Sequence, residues 1–228
     1  MEGLIDKARE LLGSKDAAAL VEFLTDESVD HIEALDAFRA LANEAYWEDK
    51  NLDRALTTAR AGITVALALA PESSRPYDLR SAAKALAFNL ASFAWPGWDE
   101  DGVKIERHHL AEALDAARTN VRLAVELEKG SIVIGRGHWM VGATLLAMGR
   151  YQEAIAEFLT ARLSADEGRS DVESAMAEGY EALVRVIERP GEQALDDELS
   201  EILERLQSMD DGATYAQQIL TARRVFAS

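Results

Sequence analysis

The clearest sign of the fold is the stretch from Gly137 to Asp166, which reads GHWMVGATLLAMGRYQEAIAEFLTARLSAD. Apolar residues recur in it at spacings of three and four, and Gly149 interrupts the pattern near the middle. Such spacing indicates amphipathic helices, and a glycine between two helical runs is typical of the turn that joins them. Because short connections favour antiparallel neighbours, the stretch predicts an antiparallel helix pair.

Small residues stand in this stretch where two helices would have to approach closely. Gly142, Ala154 and Ala161 would let the helix axes come together, while Tyr151 and Phe158 would fill the enclosed space. This order of small and aromatic residues resembles the tetratricopeptide repeat, a pair of antiparallel helices about 34 residues long. The resemblance implies an all-α fold in which such pairs stack as a short right-handed superhelix. A generic alanine-rich helical bundle is the alternative.

The same pattern recurs more faintly elsewhere in the chain. Ala55 lies 99 residues before Ala154, which is three periods of about 33 residues. The resemblance extends over residues 36–226 and is most specific at 137–166. We therefore expect one domain over residues 1–228, with N-terminal helices at 1–35, repeat-like pairs at 36–190 and capping helices at 191–228.

Helical periodicity continues along nearly the whole sequence, with four prolines in 228 residues. Glycine, proline and acidic clusters separate the periodic segments, as expected for helix ends. Ser131 to Gly135, SIVIG, is locally β-branched, but we interpret it as a helix start. The predicted helices are 2–12, 15–25, 28–49, 51–70, 77–95, 104–129, 132–148, 150–165, 170–188, 192–208 and 211–226.

Composition and charge restrict the class of protein. A formal net charge of −17 would repel phosphate backbones and anionic lipid headgroups, so nucleic-acid and membrane partners are not expected, whereas a basic partner fits. The chain contains no cysteine, which excludes disulfides and thiolate chemistry. The sequence shows no secretory signal and no apolar run long enough to span a bilayer. We expect a cytoplasmic protein.

The resemblance implies a concave face formed by the first helix of each pair, where a peptide or a partner helix would lie. Aromatic residues on such a face are typical binding anchors, because they bury a large area at a small entropic cost. Aromatics at helical spacing are more often part of a core than ligand contacts, and this alternative stays open. The groove candidates are Glu44, Trp47, Phe88, Trp95, Trp98, Arg136 and Trp139.

The segment ERHHLAE, residues 106–112, raises a second functional hypothesis. Glu106 and His109 have a Glu-x-x-His spacing, and His108 with Glu112 forms an i, i+4 pair on a helix. Di-metal helical bundles use two Glu-x-x-His motifs, and the chain has no second copy. The alternative function is therefore a metal-binding or small-molecule-binding helical protein centred on these four residues; a solvated helix start is the structural interpretation.

No catalytic motif stands out in the sequence. Phosphate-binding loops, dinucleotide-binding glycine motifs and nucleophile elbows are absent. We therefore expect a non-catalytic scaffold without a cofactor that binds a protein or peptide. Self-association through the ends of the stack is a further alternative.

Overall fold

The computed structural model describes residues 2–13, 17–24, 26 and 30–227. These residues form eleven α-helices and two short 3₁₀ helices, Ala70–Glu72 and Pro96–Trp98, and they contain no β-strand. The all-α prediction is confirmed. The α-helices are α1 (Glu2–Gly13), α2 (Ala17–Leu24), α3 (His31–Trp47), α4 (Leu52–Leu69), α5 (Pro76–Phe93), α6 (Arg107–Glu126), α7 (Ser131–Ala147), α8 (Tyr151–Glu167), α9 (Asp171–Glu188), α10 (Gln193–Gln207) and α11 (Gly212–Phe226).

Each predicted helix corresponds to one of these elements, with ends that differ by a few residues. SIVIG opens α7, as predicted. The predicted ends at residues 15, 25 and 28 lie outside the described residues. The helix predicted over 77–95 stops at Phe93, and Trp95 adopts an extended conformation before the second 3₁₀ helix.

Side chains next to the helices fix several of these starts. A carboxylate oxygen of Asp30 accepts hydrogen bonds from the backbone N–H groups of Ile32 and Glu33, and the Asn51 side chain accepts one from Arg54. Aspartate and asparagine are favoured at this position because they satisfy N–H groups that have no partner inside the helix. The starts of α3 and α4 therefore follow from local sequence.

The contacts between elements divide the chain into two compact units. The first unit contains Met1–Phe93 with Gly102–Lys104, and thus α1 to α5. Within it, α1 packs against α2, α3 against α4 and α4 against α5. The unit also has contacts between next-but-one helices, α1 with α3 and α3 with α5.

The second unit contains Ala94–Asp101 with Ile105–Ser228, and thus the second 3₁₀ helix and α6 to α11. Consecutive helices again pack against each other throughout the unit. Next-but-one contacts join α7 with α9 and α9 with α11. The 3₁₀ helix Pro96–Trp98 lies against α11 and α7.

The small residues of α7 and α8 that were predicted to lie between helices are buried. Ala154 and Ala161 are buried, and Phe158 is fully enclosed. A Cβ atom added to Gly142 would lie 2.8 Å from Cε1 of Phe158, closer than real Cβ contacts come. Only glycine fits at this position without a shift of the ring, because α7 passes directly over Phe158.

None of the helices in the described part of the chain is both long enough and apolar enough to cross a membrane.

Candidate functional site

The segment that follows α5 is anchored in the second unit by Trp95. Its side chain is only 1% exposed, and its indole N–H donates a hydrogen bond to the backbone carbonyl oxygen of Ala143, 3.1 Å away. Pro96 and Gly97 then turn the chain into the 3₁₀ helix. A Cβ atom at Gly97 would lie 2.3 Å from the Trp95 ring, so the backbone rests directly on the indole. The turn is therefore held in place by a buried ring.

Trp95 belongs to a group of six rings that we call the aromatic cluster. Its ring centroid lies 4.7 Å from that of Trp98 and 5.5 Å from that of Trp139. These separations are typical of favourable edge-to-face contacts between aromatic rings. The cluster consists of Trp95, Trp98, Trp139, Phe158, Tyr180 and Phe226.

The burial of the cluster corrects the prediction that Trp95 and Trp139 line a groove. Trp139 is 5% exposed, and Trp95 is less exposed still, so both rings contact the side chains of the protein itself. For these two residues the structure supports the core interpretation. The physical reason is that the segment after α5 turns back onto α7 and covers the face on which Trp139 and Ala143 lie. Trp98 keeps part of its surface exposed.

Three groove candidates belong to the first unit. Trp47 is 52% exposed, and its ring packs edge-on against Tyr46 with the Lys50 ammonium group 5.7 Å from its centroid. Glu44 accepts hydrogen bonds from the Arg9 guanidinium, the shortest at 2.9 Å. Phe88 is half-buried on α5. Whether these residues contact a ligand stays a prediction.

Arg136, the remaining groove candidate, is held by Glu173. Its Nε atom donates to both carboxylate oxygens of Glu173, at 3.0 and 3.1 Å, and the pair links α7 to α9. These hydrogen bonds raise the pKa of Arg136, and burial raises the pKa of the nearby Tyr215 on α11. The Glu173 side chain is 8% exposed, whereas that of Arg136 is 53% exposed. A buried carboxylate with its own arginine is a satisfied structural pair.

The residues of the metal hypothesis lie around the start of α6. The backbone N–H of Glu106 donates to Nδ1 of the buried His109 at 3.0 Å, and the two residues close a capping box. His108 is exposed, with Nδ1 3.6 Å from a Glu106 carboxylate oxygen, and Glu112 is half-buried one turn further on. The Glu-x-x-His spacing therefore has a local structural role, since one imidazole nitrogen of His109 is already a capping acceptor.

A surface pocket lies beside Trp98 in the second unit. Its volume is about 440 Å³, within the range of roughly 300 to 1,000 Å³ that small-ligand sites occupy. Trp98 and Gly97 form one side, and α11 forms the other. The lining residues are Gly97, Trp98, Ala213, Thr214, Gln217, Gln218 and Thr221.

Four polar residues of α11 give this pocket its chemistry. Thr214, Gln217, Gln218 and Thr221 are spaced i, i+3, i+4 and i+7, which places them on one helix face. None of them is charged, although 29% of the residues in the chain are charged. The sequence predicted Trp98 as a binding candidate and α11 as a capping helix, but the polar face of α11 was not predicted as part of a site. A face of uncharged amides and hydroxyls in a strongly charged chain was the available signal.

The chain was compared with known protein-family models and with curated proteins, and neither comparison found a match.

Proposed function

We propose that this protein is a non-catalytic scaffold of the tetratricopeptide-like type, which binds another protein or a peptide. In this proposal the antiparallel helix pairs form a short right-handed superhelix. Within the first unit, α3 and α5 belong to the layer of first helices, and within the second unit α7 and α9 do, with α11 at the end of that stack.

The single observation that carries the proposal is the pattern of next-but-one contacts. Within the first unit these join α1 with α3 and α3 with α5, and within the second unit they join α7 with α9 and α9 with α11. All of these are odd-numbered helices. Stacked helix pairs bring the first helix of each pair against the first helix of the next, and the resulting layer is the surface such arrays use for binding.

The residues of the clearest repeat support the same proposal. Gly142 allows α7 to lie against Phe158, and Ala154 and Ala161 are buried. These are the positions on which the resemblance to the repeat family depends. Close helix packing at them fits a stack of pairs.

The charge of the chain restricts the proposed partner. With a net charge of −17, the protein would repel other strongly acidic surfaces at long range. A neutral or basic peptide segment would not be repelled in this way, whereas a nucleic acid or an anionic membrane would be. We propose a protein partner with a segment of this kind.

Selection from a random displayed-peptide library on the immobilised full-length protein tests the proposal. We expect enrichment of peptides that share an apolar anchor residue and that bind saturably in solution. Thermally unfolded protein, selected in parallel, should not enrich the same peptides. Absence of any saturable peptide on the folded protein would contradict the proposed function.

A further inference from the structure

We propose that the pocket between Trp98 and α11 holds an uncharged, extended peptide segment, with one apolar side chain packed on the Trp98 indole. This inference rests on the proposed function and names the place and the chemistry of binding. The occupant is a segment of a partner protein.

The first argument is the hydrogen-bonding capacity of the pocket. Thr214 and Gln218 make no side-chain hydrogen bond within the described residues, and Gln217 reaches Thr221 only at 3.4 Å. A glutamine side chain has an NH2 group that donates and a carbonyl oxygen that accepts hydrogen bonds. These groups complement the C=O and N–H groups of a peptide bond. Two adjacent glutamines can therefore pair with the backbone of an extended segment.

The second argument is the absence of charge in the pocket. No residue of its lining is ionisable, so a charged ligand group would find no ion-pair partner there. Asp99, which follows Trp98, and Arg224 of α11 pair with each other, and their Oδ2 and Nη2 atoms lie 2.7 Å apart. They neutralise each other, which again favours a neutral occupant.

The third argument is that the pocket is already formed. Gly97 rests on the buried Trp95 ring, and the ion pair between Asp99 and Arg224 joins the end of the Trp98 turn to α11. Both walls are thus attached to the packed body of the second unit. A preformed site avoids the entropic cost of ordering on binding.

Nuclear magnetic resonance of the full-length protein provides the test, with three small probes. N-acetyl-L-leucinamide is a neutral mimic of one peptide residue, N-acetyl-L-leucine carries a carboxylate, and L-leucinamide carries an ammonium group. We expect the neutral probe to shift the Trp98 indole N–H and the side-chain amide signals of Gln217 and Gln218 saturably. Each charged probe should bind about tenfold more weakly, because no residue of the lining can pair with its charge.

Two variants and one control make the test specific. A double variant, Gln217→Ala with Gln218→Ala, should weaken the neutral probe about fivefold to tenfold, since two hydrogen bonds of ordinary strength are lost. Trp98→Ala should abolish the shifts, with circular dichroism as the check of folding. Gln207→Ala replaces an exposed glutamine of α10 and should leave binding unchanged.

The outcomes separate this inference from the proposed function. If library peptides bind but shift signals outside the pocket, or bind the double variant unchanged, the inference is overturned and the scaffold function stands. If the pocket signals shift only as the protein concentration rises, a second copy of the chain is the occupant and the inference is overturned. If neither probes nor library peptides bind, both proposals fail.

Discussion

The indole N–H of Trp95 donates a hydrogen bond to the backbone carbonyl oxygen of Ala143 across 48 residues of sequence. The bond ties the segment that follows α5 to α7, inside the second unit. Trp95, which was predicted to contact a ligand, is therefore a core residue. The stability of the second unit and the shape of the pocket therefore depend on the same side chain.

Replacement of Trp95 tests this dependence. Trp95→Phe keeps an aromatic ring but removes the donor and part of the volume, and we expect a loss of about 1–3 kcal/mol in the free energy of unfolding. Trp95→Ala should cost about 3–5 kcal/mol. Denaturant unfolding followed by circular dichroism measures both. Trp47→Phe, at the exposed indole of the first unit, is the matched control and should change stability by less than about 0.5 kcal/mol.

Replacing Gly142 by alanine has two opposing effects on the free energy of unfolding. Gly142→Ala gains about 1 kcal/mol of intrinsic helix propensity, but the added methyl group meets the Phe158 ring at 2.8 Å, and such overpacking costs about 1–3 kcal/mol. We expect the clash to dominate, with a net loss of about 1 kcal/mol in thermal or chemical unfolding. Gly3→Ala in α1, where nothing in the described chain lies within 4 Å of the added atom, should not destabilise. Equal effects of the two substitutions would argue against close packing of α7 on α8.

The ion pair between Arg136 and Glu173 should stabilise the contact between α7 and α9. Arg136→Ala leaves a largely buried carboxylate without its donor, so we expect a loss of about 3 kcal/mol, as for other broken buried pairs. Adding Glu173→Gln to that variant should restore part of the loss, because the unpaired charge is removed. A double-mutant cycle by urea unfolding gives the coupling. The exposed pair Arg122 and Glu126 serves as the comparison, with an expected coupling of about 0.5 kcal/mol or less.

Tyr180 gives a prediction for alkaline pH. Burial raises the pKa of its hydroxyl far above the ordinary value of 10.0, and the hydroxyl has no hydrogen-bond partner among the described residues. Above pH 10 the unfolded chain releases this proton while the folded chain retains it, so unfolding becomes more favourable by about 1.4 kcal/mol per pH unit. Tyr180→Phe should reduce this loss and leave stability at neutral pH unchanged or slightly higher. Unfolding curves of both proteins at neutral pH and above pH 10 measure the difference; identical pH dependence would contradict the assignment.

His109 should contribute to stability as a capping acceptor at the start of α6. His109→Ala removes the acceptor for the Glu106 backbone N–H, and we expect a loss of about 1–2 kcal/mol. His109→Gln supplies an acceptor at the same position, as in an ordinary capping box, and should recover part of that loss. Thermal unfolding compares the two with His108→Ala, an exposed neighbour expected to change little. If alanine and glutamine behave alike, packing rather than capping explains the role of His109.

Local sequence determined the helices of this protein. Apolar spacing of three and four predicted the elements from α3 to α11 within a few residues, because helix periodicity and end signals act over a few neighbouring positions. The helical state of SIVIG and the burial of Gly142 between α7 and α8 could be predicted in the same way. The sequence also predicted that Trp98 lies beside a turn.

The tertiary structure alone decided which aromatic residues are buried and where the pocket lies. Trp95 and Trp98 are three residues apart, yet only Trp95 reaches the carbonyl of Ala143, while Trp98 faces α11 more than a hundred residues further along. The uncharged face of α11 becomes the wall of a site only because the turn at Gly97 lies against it. Burial and pocket shape depend on distances between residues far apart in the chain, and helical periodicity carries no information about those distances.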